Sequence, residues 1–269
     1  MQRLNPKHDR LLILFLILGL VILAFITAPL LEMTAGQITS NQPGMRDVIN
    51  DSAVWKSIIL TMYTALVATA IAFVFGVPLA YFLARRDFPF KGIVESIVDI
   101  PIIVPHTVAG IALLTVFGSH GLIGCPLSSV IRFRDAVPGI IAAMLFVSVP
   151  FLINSAREGF QGIDPRLENV ARSLGASEWG AFTRVTIPLA ARHILIGSIL
   201  CWARAMSEFG AVIVIAYYPM IAPTLIYERY ISYGLSESSP IAVLLILVCL
   251  LVFIVLRMIS AGWRRYDRE

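Results

Sequence analysis

The chain has 269 residues, 58% of them hydrophobic and 14% charged, with a formal net charge of +4 and a mean hydropathy of +0.84. That balance excludes a soluble globular domain and a disordered chain, and it makes the protein an integral membrane protein. The excess of Lys and Arg does not point to nucleic acid, because the basic residues flank apolar blocks and no aromatic-basic motif accompanies them.

The apolar residues come in blocks of about 20, the length a helix needs to cross a hydrocarbon core about 30 Å thick, and not in the short alternating segments of a barrel. The expected fold class is therefore all-α, with six transmembrane helices in one transmembrane domain over 1–269. The first span, about 11–31, follows Arg3, Lys7 and Arg10; its apolar run is longer than a signal-peptide core and lacks a convincing small-residue cleavage site, so it reads as a retained helix. A polar segment leads to the second span, about 55–84, which ends at Arg85-Arg86. The third, about 93–117, is broken by Pro101 and Pro105, which should kink it. After a Gly-containing loop with Arg132 and Arg134 comes the fourth, about 137–155, then a polar loop over about 157–192. The fifth span is expected over 194–217 as one helix, and the sixth over 241–259.

Six spans put both termini on one side. Arg3, Lys7 and Arg10, the Arg85, Arg86 and Lys91 group, five arginines of the polar loop and the arginines near the C-terminus all fall there. They far outnumber Arg46, Lys56, Arg132, Arg134 and Arg229 on the other side. By the positive-inside rule the termini and the polar loop are cytoplasmic.

The loop opens with a helix marked at both ends. Asp164 suits the N-cap, Pro165 the first helical position, and Gly175 the left-handed residue that closes a helix. Leu167, Val170, Ala171 and Leu174 gather on one face, leaving Arg166, Glu168, Asn169, Arg172 and Ser173 around the rest. Ser177 can cap a second short helix carrying Trp179, Phe182 and Val185, which should stop near Pro188. The apolar stripe must be covered, by the protein's own membrane helices, by lipid or by a partner.

Few residues are candidates for chemistry. Arg204 and Glu208, four apart in the fifth span, should share a helix face and pair; charges at that depth must face protein or water. They are read either as a structural pair that fixes packing or, with Ser207 and with His106 beside Pro105, as lining of a pathway. Asp99 is assigned no role. Cys125, Cys201 and Cys249 are widely spaced and read as small buried hydrophobes, not as a disulfide framework or a metal site. No phosphate-binding loop, metalloprotease motif or nucleophile elbow is present, so any ATP used is hydrolysed by another chain.

Asn169-Val170-Ala171, then three residues, Gly175, nine residues and Val185-Thr186-Ile187-Pro188 resembles the Glu-Ala-Ala…Gly…Ile-x-Leu-Pro loop of ABC importer permeases, with Asn169 standing where that family usually has glutamate. Ala205-Met206-Ser207-Glu208-Phe209-Gly210-Ala211, with Ala222-Pro223-Thr224-Leu225-Ile226-Tyr227, resembles molybdate/tungstate permeases, with sulfate/thiosulfate permeases close behind. The resemblance implies a type I ABC importer permease fold and a coupling helix formed by Arg166, Leu167, Glu168, Asn169, Val170, Ala171, Arg172, Leu174 and Gly175. It implies a second copy of the chain, two ATP-binding cassette subunits that carry the ATP and Mg, and an extracytoplasmic oxyanion-binding protein. The chain itself would bind no cofactor. A stand-alone secondary transporter is the competing class; one Arg/Glu pair and one His are thin provision for coupling-ion sites.

Overall fold

The computed structural model describes residues 10–39 and 44–266. Arg3, Lys7 and, among the arginines near the C-terminus used above for topology, Arg268 lie outside the described residues. The chain is helical: α1 (Arg10–Thr39), α2 (Gly44–Asn50), α3 (Ser52–Arg85), α4 (Lys91–Ile103), α5 (His106–Phe117), α6 (Gly124–Leu127), α7 (Val137–Gln161), α8 (Pro165–Ser173), α9 (Glu178–Ala181), a π-helical turn (Phe182–Thr186), α10 (Ile187–Met206), α11 (Gly210–Ile215), α12 (Ala222–Tyr233) and α13 (Leu235–Tyr266). Five of these stretches are long and apolar enough to cross a membrane, or six if the bent pair α4 and α5 counts as one.

α3, α7 and α10 form the centre. Their buried faces are rich in small residues, with Ala65, Ala68, Ala143 and Ala205 in one cluster and Ala72, Ala80, Ala156, Ala190 and Cys201 in another. Small side chains let membrane helices approach closely, where van der Waals contact is the main source of cohesion. At Gly197 the approach leaves no room for more: a Cβ would stand 2.8 Å from Ser155 Cβ on α7. Hydroxyls on these faces bond back to their own helices, as Thr64 does to Leu60 O at 2.7 Å and Ser148 to Met144 O at 2.6 Å, so few polar groups need partners across the interface. A third cluster joins α3 to α12 and α13 through Val54, Ile58, Ala222, Leu225, Ile241 and Leu244. There the Ala222 N–H donates to Thr61 Oγ1 at 2.8 Å. α1 touches α13 and presents residues such as Phe25 and Leu31 outward, as a predominantly apolar helix facing lipid does.

Four expectations are corrected. The third span is broken as expected, into two helices at 114° to each other, but at Pro105 alone: Pro101 lies inside α4 without interrupting it, whereas Pro105, which has no N–H, begins a new helix. The fifth span is not one helix over 194–217: α10 starts earlier, at Ile187, and ends at Met206, and α11 begins at Gly210. The second loop helix does not stop near Pro188. A π turn, in which the Ile187 N–H reaches Phe182 O, carries it into α10, and Pro188 then falls in the first turn of α10, where its missing donor costs little. Cys125 is exposed, whereas Cys201 is buried and Cys249 partly so.

Candidate functional site

Two groups of the singled-out residues assemble in space, one on the loop helices and one where the two broken spans meet. On the loop, Asp164 Oδ1 accepts from the Arg166 N–H at 2.9 Å and Gly175 is left-handed at φ +94°, so both ends of α8 form as their residues dictate. Ser177 Oγ accepts from the Gly180 N–H at 3.0 Å, and Arg172 bridges to Glu178 at 3.2 Å, tying α8 to α9. Leu167, Val170 and Leu174 are 47%, 57% and 84% exposed, and Trp179 is 72% exposed. The apolar stripe is therefore uncovered in this chain. Ala171 is half-buried, and Arg166 and Asn169 are exposed.

Glu168 points the other way. Arg85, in the last turn of α3, donates to Glu168 Oε1 from Nε at 2.9 Å and from Nη2 at 2.7 Å, and Tyr81 Oη donates to Oε2 at 2.9 Å. Arg85 Nη1 also donates to Ile163 O at 3.1 Å. Both members of the ion pair are nearly buried. Burial alone would raise the Glu168 carboxyl, but the hydrogen bonds from Arg85 and Tyr81 outweigh it and hold the group below its ordinary value. Tyr81 packs edge-on to Phe160 and against Phe182, which in turn meets Trp179. The uncovered helix pair is thus fastened to the ends of α3 and α7. Sequence reasoning missed Arg85 and Tyr81 as anchors, since Arg85 was read only as a topology charge; their i, i+4 spacing at a span end facing the loop was the available signal.

In the second group, Arg204 Nη2 lies 2.9 Å from Glu208 Oε2, so the expected pair forms. It is not on one helix face, because Glu208 sits past the end of α10, where its Oε1 accepts the Ala211 N–H at 2.7 Å. Arg204 Nη1 reaches Ser207 Oγ at 3.2 Å, and Nη2 stands 3.3 and 3.0 Å from the His106 ring nitrogens. The two breaks are pressed together: a Cβ on Gly210 would lie 2.6 Å from His106 Cβ, and one on Gly110 would lie 2.8 Å from Ala211 O. A cleft of about 540 Å³ opens beside His106, Arg204, Ser207 and Gly210. Asp99 accepts from Asn154 Nδ2 at 2.7 Å and Glu95 pairs with Arg157 at 2.9 Å, which fastens α4 to α7.

A bundle of membrane helices with a clamped, uncovered helix pair at one end and charged broken helices within is the architecture of a transport subunit. Residues 76–265 match the family described as the inner membrane component of binding-protein-dependent transport systems, and the chain belongs to that family. The chain is 43% identical over 251 residues to the molybdate/tungstate transport system permease protein WtpB of Thermococcus kodakarensis, covering 93% of this chain and 96% of that protein. The corresponding protein of Methanocaldococcus jannaschii is 40% identical, over 94% and 96%, and the sulfate transport system permease protein CysT of a Synechocystis is 33% identical, over 78% and 75%. Among solved structures, a chain of a bacterial ABC transporter involved in the import of the acidic polysaccharide alginate superimposes with a TM-score of 0.75 at 18% identity, over 95% of this chain and 96% of that chain. At that identity the likeness is one of fold.

Proposed function

We propose that this chain is the permease subunit of an ATP-driven importer that moves molybdate or tungstate by alternating access. Two copies would enclose the pathway, and both termini would be cytoplasmic. Two ATPase subunits carrying ATP and Mg would dock on the loop formed by α8 and α9, and an external binding protein would deliver the anion. The observation that carries the docking is the uncovered stripe of Leu167, Val170, Leu174 and Trp179 on a helix pair clamped through Glu168; an apolar surface held rigid for no internal partner fits an external one. The substrate class rests on relatives named for molybdate/tungstate transport, at 40% identity or more over 93% of the chain. Relatives named for sulfate transport, such as one at 36% over 71% of the chain, make sulfate the second reading.

The test is a proteoliposome carrying the permease with its copurified ATPase. External binding protein loaded with molybdate or tungstate should stimulate ATP hydrolysis and drive uptake. Stimulation by sulfate alone would move the assignment to the second reading, and a transport-competent preparation with no ATPase partner would sink it.

A further inference from the structure

The two helix breaks meet beside the middle of α3. Trp202, Ala205 and Met206 pack with Ala65 and Ala68, which stand at the middle of the helix running from Ser52 to Arg85. Irregular backbone within a membrane is tolerated where protein buries it or where it lines a water-filled cavity, and broken helices mark ion and substrate sites in other transporters. Here a cleft of about 540 Å³ is present, and the charges beside it are arranged asymmetrically. The Glu208 side chain is 1% exposed, with Oε1 engaged by the Ala211 N–H and Oε2 by Arg204. The cationic partner is 21% exposed and the His106 side chain 45% exposed, with the Ser207 hydroxyl also exposed. Glu208 borders the cleft with a side chain that is almost wholly buried, and the more exposed donor-bearing groups of Arg204, His106 and Ser207 border it too. A guanidinium carries five N–H donors, more than Glu208, Ser207 and the His106 ring together engage.

We propose that Arg204, His106 and Ser207 form a transient binding station for a tetrahedral oxyanion on the translocation path, resting on the substrate reading above. A dianion stripped of part of its water needs donors only: the guanidinium offers its unengaged N–H groups, while the Ser207 hydroxyl, which here donates to Arg204 O at 3.0 Å, and the His106 ring, whose Nδ1 lies 3.6 Å from Glu208 Oε2, would turn to the anion from the same side of the cleft. Glu208 has two effects. It fixes the guanidinium in place, and its charge cancels that of Arg204 at longer range, so the anion is attracted by nearby donors without being trapped by a net positive centre. A conducting path requires binding of that graded strength.

The experiment compares variants of the assembled permease–ATPase complex in proteoliposomes, measuring molybdate uptake driven by loaded binding protein alongside thermal unfolding. Arg204→Met with Glu208→Gln removes both charges together, so no charge is left buried and unpaired and stability should stay near that of the wild type. Uptake in this double variant is expected to fall about tenfold or more. His106→Gln with Ser207→Ala alters two exposed side chains outside the apolar core, and it should raise the half-saturating concentration of loaded binding protein or slow uptake several-fold. Stable variants that take up molybdate at the wild-type rate would overturn the proposal and leave the pair as a packing device. If the charge-free variant fails to fold, the His106/Ser207 variant decides alone. A wild-type complex that takes up no molybdate or tungstate would instead refute the substrate assignment, an outcome visible before any variant is made.

Discussion

Glu168 and Asn169 are neighbours about 100° apart around one helix, and they do opposite things. Asn169 is exposed on the loop, while Glu168 is drawn inward by Arg85 and Tyr81. The acid one residue early is therefore no substitute for a glutamate at the position of Asn169; it is a fastener. Glu168→Gln keeps the shape but loses charge-assisted bonds and leaves Arg85 without its counter-ion, so a loss of about 1.5–3 kcal/mol is expected. The carboxyl is held below its ordinary value in the folded protein. Its contribution is complete above the ordinary carboxylate range and disappears as pH falls through the lowered value. Thermal unfolding of wild type and variant should then differ near neutral pH and converge in acid; a gap independent of pH would mean that the charge does not hold the loop. This contact was not legible in the chain because its two ends are 83 residues apart. The caps Asp164 and Ser177 were legible because each acts within three residues of itself.

Among the elements, the legible helix ends were those with a local chemical cause. α8 stops where Gly175 turns left-handed, and the third span breaks where Pro105 supplies no donor. The end of α10 was hidden, because 194–217 is largely apolar and contains no proline; what stops it is Glu208 turning back to Arg204 and to the Ala211 N–H. A composition window does not register a side chain competing for the backbone. α8 itself offers the clearest test of an element. Leu167→Ala with Leu174→Ala removes side chains that are 47% and 84% exposed, so unfolding of the permease alone should hardly change. Burying two such groups at an interface is worth about 1.5–3 kcal/mol each, and ATPase affinity should drop about a hundredfold or more. Copurification of the subunits reports this directly, and an intact complex would show that the stripe is not the docking surface.

For the whole molecule, hydropathy blocks were enough to place the spans, since a bilayer imposes one length on every crossing helix. Which spans form the centre was not readable, because lipid-facing and protein-facing residues are alike apolar. α1 illustrates this. Its hydropathy is the highest of the spans, 3.2 over its best window, yet none of that window is buried. Removing residues 1–43 should therefore leave the remaining bundle folded in detergent with only a small loss in unfolding temperature, and collapse of the protein would mean that α1 shields α13 in a way the rest cannot replace. The centre belongs instead to α3, continuous from Ser52 to Arg85 through Pro78 and so about 51 Å long at 1.5 Å per residue. At one end it holds Glu168, and toward the other Thr61 holds Ala222 while its cap Asp51 meets Arg229 at 3.4 Å. That makes it a lever with both ends gripped. A tilt of about 10° about the loop end would sweep the far end through about 9 Å, so a modest stroke at the ATPase side would be geared up into a displacement as wide as a hydrated anion at the opposite face.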